Sequence, residues 1–254
     1  TNLKTLTFPA SYKAETLSFG LTPFVSCPAF EGYVIEDGAS LQRTEDGTLL
    51  AGGGKVLVSL PQDFKGTSYT APDGVETISD YLFYKNTTIT SVTLPDSLKK
   101  IGTAAFQGCT KLTSITLPDG FTTLGEHAFD GCSGLKTVTF GQSLTSVPAY
   151  AFSNCSALTA VDLPATVETV GDYAFRGCAK ATALSLKEGL TSIGANAFYG
   201  WTALKAITIP QSVTTLGGSA FYDCNAAASI DCGSLTVIPD RAFYNAKAVK
   251  TVKP

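Results

Sequence analysis

Residues 105–129 read Ala105-Phe106-Gln107-Gly108-Cys109-Thr110-Lys111-Leu112-Thr113-Ser114-Ile115-Thr116-Leu117-Pro118-Asp119-Gly120-Phe121-Thr122-Thr123-Leu124-Gly125-Glu126-His127-Ala128-Phe129. The stretch returns to its own Ala-Phe after 23 residues, and the return is not local. Phenylalanine recurs at Phe83, Phe106, Phe129, Phe152, Phe175, Phe198, Phe221 and Phe243, with six spacings of 23 and a last of 22. Alanine precedes seven of the eight, Leu82 being the exception. Three residues after the ring stands Cys109, Cys132, Cys155, Cys178 or Cys224, replaced elsewhere by Asn86, Trp201 and Ala246. A fixed period of this length is the signature of a solenoid, in which each unit buries its apolar face only against its neighbours.

Each part of the unit has a physical reading. Leu112-Thr-Ser-Ile115-Thr-Leu117 alternates apolar and hydroxyl residues, which predicts a half-buried strand, and Pro118 stops it for want of a backbone donor. Thr122-Thr123-Leu124-Gly125 predicts a weaker strand or extended turn on an opposite wall. The Ala-Phe-x-x-Cys segment is too short for an independent helix and reads as one helical or 3₁₀ turn that plugs its Phe into the core. The phenylalanines form the expected spine.

The unit resembles the BspA-like leucine-rich repeat, whose pattern C-x-x-L-x-x-I-x-L-P, V-x-x-I-G, A-F-x-x-C is matched almost position for position from Cys109 to Cys132 and from Cys155 to Cys178. Asp46-Gly47-Thr-Leu-Leu50 followed by Gly52-Gly-Gly-Lys55-Val-Leu-Val-Ser-Leu60-Pro61 resembles the hairpin-bearing insertion of that family. Phe24-x-x-Cys27-x-x-Phe30 and Leu3-x-x-Leu6-x-Phe8-Pro9 carry the same columns irregularly. The expected fold is therefore a leucine-rich repeat solenoid of the β-rich α/β repeat class, with a parallel sheet along one face and short 3₁₀ or helical turns. Residues 1–71 form a divergent N-terminal repeat with the hairpin insertion, and 72–254 form regular repeats of one continuous array.

Composition excludes several classes. With 18 Lys+Arg, 21 Asp+Glu and a net charge of −3, the chain lacks the basic footprint of a nucleic-acid binder. No apolar run is long enough for direct membrane insertion. A start at Thr1 with no Met suggests a trimmed chain, either a mature secreted form or an expressed fragment. The seven cysteines would invite a disulfide framework, but six share one repeat column and Cys232 takes a strand position. Strands ~4.8 Å apart with parallel side chains approach poorly for bridging, so the thiols read as small buried hydrophobes.

The search for chemistry is mostly negative. The single histidine, His127, shares its column with Tyr150, Tyr173, Asn196 and Arg241 and has no partner base for a nucleophilic triad. Gly52-Gly53-Gly54-Lys55 superficially resembles a phosphate loop, but Val56 stands where Ser or Thr should be, so a hairpin turn explains it better. Glu36-Asp37-Gly38 and Glu45-Asp46-Gly47 are turn signals without the alternating ligands of a calcium loop. Catalytic residues, metal ligands and cofactors are not expected.

Two surfaces are candidates for binding. The outward strand positions are Ser91, Thr93, Ser114, Thr116, Thr137, Thr139, Ala160, Asp162, Ala183, Ser185, Ala206, Thr208, Ser229 and Asp231, a small-residue, weakly charged face. The column after the spine Phe brings Tyr199, Tyr222 and Tyr244 onto consecutive repeats, with Trp201 beside Tyr199. Aromatic rings with polar tips suit recognition, although tyrosines covering a turn would show the same pattern.

The terminal unit stops at Val252-Lys253-Pro254 without a polar cap; the chain either continues or blunts its own edge with Lys250, Lys253 and Pro254. What the resemblance implies is a non-catalytic protein-binding module of a bacterial or protist secreted or cell-surface protein. It would adhere to host or extracellular-matrix proteins such as fibronectin and fibrinogen. The exposed terminal edge could pair with another copy, so a monomer or weak end-to-end dimer is expected. The alternative is a structural spacer within a larger envelope protein.

Overall fold

The computed structural model describes residues 4–9, 32–36, 40–60 and 64–253. Leu3, Cys27, the Phe24-to-Phe30 motif, Asp37-Gly38, Pro61 and Pro254 lie outside them. From Ser68 onward the chain winds as a parallel β-solenoid whose coils have three hydrogen-bonded walls.

The first wall carries nine three-residue strands, from Ser68–Thr70 and Ser91–Thr93 to Ser229–Asp231 and Thr251–Lys253. Pairing is parallel and in repeat register, for example Ser114↔Thr137, Ile115↔Val138 and Thr116↔Thr139. The central residue of the inner strands points inward: Ile115, Val161 and Ile207 are buried while their flanking neighbours are exposed; Val252 in the last strand is itself exposed. This is the alternation the sequence predicts, with a period of two setting the faces.

The second wall is a ladder of two-residue strands such as Lys100–Ile101 and Thr123–Leu124, also parallel. Its glycines mark where coils approach too closely for a side chain. A Cβ on Gly125 would stand 2.4 Å from the carbonyl carbon of Gly102 and from the Thr103 nitrogen.

The third wall departs from expectation. Among the described residues no helix or 3₁₀ turn forms at Ala-Phe-x-x-Cys; the segment is a run of tight turns of alternating handedness. The residue two before each Phe has φ between 51° and 59° (Tyr81, Ala104, His127, Tyr150, Tyr173, Asn196, Ser219 and Arg241). The residue two after it is again left-handed, as in Gly108, Gly131 and Asn154. The reason lies in hydrogen-bond accounting. Alternate amides are turned toward the next coil, Ala104 N→Glu126 O, Phe106 N→Ala128 O and Gly108 N→Asp130 O (2.9, 2.8 and 2.7 Å). The amides between them close turns within the coil, Gln107 N→Ala104 O and Cys109 N→Phe106 O at 3.1 Å. A 3₁₀ segment would have spent all of these donors inside one coil.

The spine is as expected. Seven phenylalanines from Phe83 to Phe221 are 0–1% exposed, and consecutive rings stack 4.7–5.6 Å apart within 13° of parallel. Phe243 continues the stack at 5.8 Å.

The hairpin insertion serves as the N-terminal end of the second wall. Leu41–Arg43, Leu49–Ala51 and Val56–Ser59 form an antiparallel meander, and Val56–Ser59 then pairs parallel with Thr77–Ile78. A small second core of Phe8, Leu41, Leu49, Ala51 and Val58 lies under it. Gly52, Gly53 and Gly54 all have positive φ and form the turn of this hairpin, where glycine alone turns without steric cost. Lys55 pairs with Glu76 at 3.0 Å.

Candidate functional site

The six described cysteines are free and buried. Their sulfurs have a structural task. Each column thiol donates to the carbonyl of the spine phenylalanine 26 residues earlier: Cys109 to Phe83, Cys132 to Phe106, Cys155 to Phe129, Cys178 to Phe152 and Cys224 to Phe198 (3.0–3.7 Å). Burial pushes the thiols of Cys132, Cys155 and Cys178 well up, and that of Cys224 to about 12, so these four stay protonated donors.

Trp201 needs correction as a surface residue. It is 0% exposed, packed edge-on to Phe198 at 5.3 Å, and its Nε1 donates to the Phe175 carbonyl at 2.7 Å. The indole N–H replaces the column thiol in the same hydrogen bond. The preceding coil carries Ala181, fully buried, where other coils carry Leu112, Leu135 or Leu158. A substitution that looked like a gap in the column is a conservative exchange of donor, and Trp201 has no contact to offer a partner.

Tyr199, Tyr222 and Tyr244 do stand together on the third wall, stacked at 4.8 and 4.9 Å. Tyr244 is 53% exposed and the other two are half-buried. Partial desolvation, then Asp223 and the neighbouring phenols, push the Tyr222 hydroxyl up from its ordinary range, so it remains a donor.

The structure adds a second stack that sequence reading passed over. His127, Tyr150 and Tyr173 occupy the left-handed column before the Phe and stack at 4.6 and 4.8 Å. Arg176 joins the two stacks, its guanidinium carbon 5.9 Å from the Tyr173 ring centre and 5.6 Å from that of Tyr199. The result is one aromatic stripe from His127 to Tyr244. Its signal in the sequence was a pair of tyrosine columns that change places at Arg176; only the turn geometry makes residues 173 and 199 neighbours.

His127 ends the stripe with Nδ1 3.2 Å from Asp130 Oδ2, which also accepts from Gln107 Nε2 at 2.9 Å. The ring is 35% exposed, in a turn. Among the described residues no group of three or more His, Cys, Asp or Glu is placed to hold a metal ion. Asp46, in the turn Glu45-Asp46-Gly47, accepts from the Thr44 hydroxyl and the Thr48 amide, which hold its carboxyl below the usual range.

On the first wall, Ser91, Thr93, Ser114, Thr116, Thr137, Thr139, Asp162 and Thr208 are exposed, while Ser185, Ser229 and Asp231 are half-buried. A shallow recess of about 300 Å³ lies between Ser91, Thr93, Asp96, Ser114, Thr116 and Pro118. Toward the other end the acids are paired: Lys187 Nζ lies 2.7 Å from Asp162 and donates to Ser185 Oγ at 2.6 Å, and Lys253 Nζ lies 3.1 Å from Asp231. Lys187, ahead of Ser185, holds the Asp162 carboxyl down; the Gly233 amide, ahead of Lys253, does the same for Asp231. The face presents hydroxyls and closed ion pairs.

The family model described as BspA type Leucine rich repeat region matches residues 62–182 and 145–254, with six copies. A leucine-rich repeat protein of Eubacterium ventriosum is similar in structure, with a TM-score of 0.73 and 26% identity over 93% of this chain and 60% of that one. This chain thus spans about three fifths of that protein. The T. pallidum leucine rich repeat protein is 32% identical, with a TM-score of 0.59 over 74% of this chain and 86% of its own. A leucine rich cell surface protein of Faecalibacterium prausnitzii shares the fold (TM-score 0.51, 22% identity, 99% and 79% covered). No curated protein sequence matches.

Proposed function

The chain belongs to the BspA type leucine-rich repeat family, and we propose that it is a non-catalytic protein-binding module of a secreted or cell-surface protein, adhering to host or matrix proteins. The observation that carries this reading is the outward stripe of tyrosines held rigid by their own stacking. Tyrosine supplies contact area with a polar tip and only two side-chain torsions to order, and here the stacking has already ordered them. The hydroxyl face of the first wall offers a second, flatter contact area.

Purified protein is to be passed over immobilised extracellular-matrix proteins, beside a variant carrying Tyr199→Ser, Tyr222→Ser and Tyr244→Ser. Retention of the parent and loss of at least tenfold in the folded triple variant is the expected result. Equal retention of the two would remove the stripe from the reading. A parent that ignores every matrix protein would favour the structural spacer instead.

A further inference from the structure

Within the stripe from His127 to Tyr244, Arg176 stands apart. Carboxylates of this wall are occupied: Asp130 by His127, Gln107 and Asn154. Asp172 accepts from the Ala195 amide and Asp223 from Asn245 Nδ2. Asp240 lies 3.6 Å from Arg241. Arg176 is exposed and has no hydrogen bond or ion pair from its guanidinium among the described residues, yet it is laid against two rings, Tyr173 and Tyr199. Ring contact of this kind holds the guanidinium plane while leaving its N–H edge free, the arrangement that suits bidentate capture of a planar oxyanion.

We infer that Arg176 is the anchor of the stripe and that it captures a carboxylate from an acidic segment of a partner protein, with the phenols on either side contacting the segment's backbone. The inference rests on the protein-binding reading and names the chemistry of its partner. A peptide fits better than a sulfated glycan for two reasons. The stripe offers one unpaired cation on a chain of net charge −3, whereas a polyanion is held by several. The ring faces are stacked on one another at 4.8–4.9 Å, so a sugar has edges and hydroxyls to meet but few open faces to lie on.

The test is an NMR titration of the full 254-residue chain, following the Arg176 Nε–Hε resonance and the tyrosine ring signals. The probes are N-acetyl-Gly-Glu-Gly amide, which carries one carboxylate, its Gly-Lys-Gly counterpart and a heparin tetrasaccharide. Arg176→Gln is a safe variant, because Gln107 already occupies the same column and turn. Saturable shifts with the glutamate peptide, none with the lysine peptide, and at least tenfold weaker binding in Arg176→Gln support the inference, with Arg176→Lys intermediate because it keeps charge without the fork. No saturable shift at Arg176, equal binding by Arg176→Gln, or tighter binding of the heparin fragment at the stripe overturns it. Failure of matrix retention with a responding Arg176 would refute the adhesion reading alone. Retention with a silent Arg176 would refute the carboxylate anchor alone.

Discussion

Replacing Trp201 separates two roles that one side chain fills, its hydrogen bond and its volume. Trp201→Phe keeps most of the bulk but leaves the buried Phe175 carbonyl without the 2.7 Å indole donor. An orphaned buried acceptor costs about 1–3 kcal/mol. Trp201→Cys restores the donor that the other coils use, as Cys178 does toward Phe152 at 3.4 Å. It also opens a cavity beside Phe198, at a cost of about 3–5 kcal/mol for a large-to-small core change. Adding Ala181→Leu to Trp201→Cys recreates the Leu–Cys pairing of the preceding coils and should recover at least ~1 kcal/mol, a coupling typical of residues that share a cavity. Urea unfolding followed by far-UV circular dichroism reads all three, since the chain's one tryptophan is absent from the variants. In thermal melts, each ~1 kcal/mol corresponds to roughly 2–4 °C for a chain of this size. Trp201→Phe melting with the parent would refute the donor role. A double variant no more stable than Trp201→Cys alone would refute the exchange of volume with Ala181.

Other outcomes follow from the same coil. Phe152→Ala removes a ring stacked at 5.2 Å on both Phe129 and Phe175 and should cost ~3–5 kcal/mol in the same denaturation assay; a parent-like midpoint would mean the spine does not carry the core. Gly125→Ala forces a Cβ to 2.4 Å from the Gly102–Thr103 backbone, so loss of about 1–3 kcal/mol is expected, whereas a gain would show that the second wall is not tightly stacked. The cysteines make the fold sensitive to base. For Cys132, Cys155, Cys178 and Cys224 the folded pKa lies above the unfolded value near 9, so their stabilisation is complete below about pH 9 and is lost as pH rises through the folded value, about 12 for Cys224. For that thiol the total is about 4 kcal/mol at most. Cys224→Ala should therefore show a shallower fall of melting temperature between pH 9 and 11 in reductant; an unchanged slope would contradict the burial.

The repeat is legible because burial acts on the same position in every coil. Phe106 and Phe129, or Cys109 and Cys132, meet the same environment 23 residues apart, so one-dimensional spacing records a three-dimensional column. The strand at Ser114–Thr116 is legible for a related reason: the period of two places Ile115 inward whatever the neighbouring coil carries. The left-handed turn was not. Its column holds Tyr150, His127, Asn196 and Arg241, and no glycine announces the positive φ, which is imposed by the ladder to the next coil rather than by local preference. Trp201 misled for the converse reason, since sequence records that the thiol is gone and not that an indole N–H can reach the same carbonyl.

What the sequence by itself determined is therefore the period, the spine and the inward face of the inner strands, all set by burial and alternation within a coil. What only the tertiary structure decided is everything that depends on which side chain leans toward which neighbouring coil. That includes the thiol and indole bonds to the carbonyls of Phe83 through Phe198, and the bridge that Arg176 makes between two tyrosine stacks. The physical reason is that these interactions cross between coils, at 26 residues for the thiol and indole bonds and at 23 for Arg176 and Tyr199, where rotamer and turn handedness, rather than residue type, select the partner.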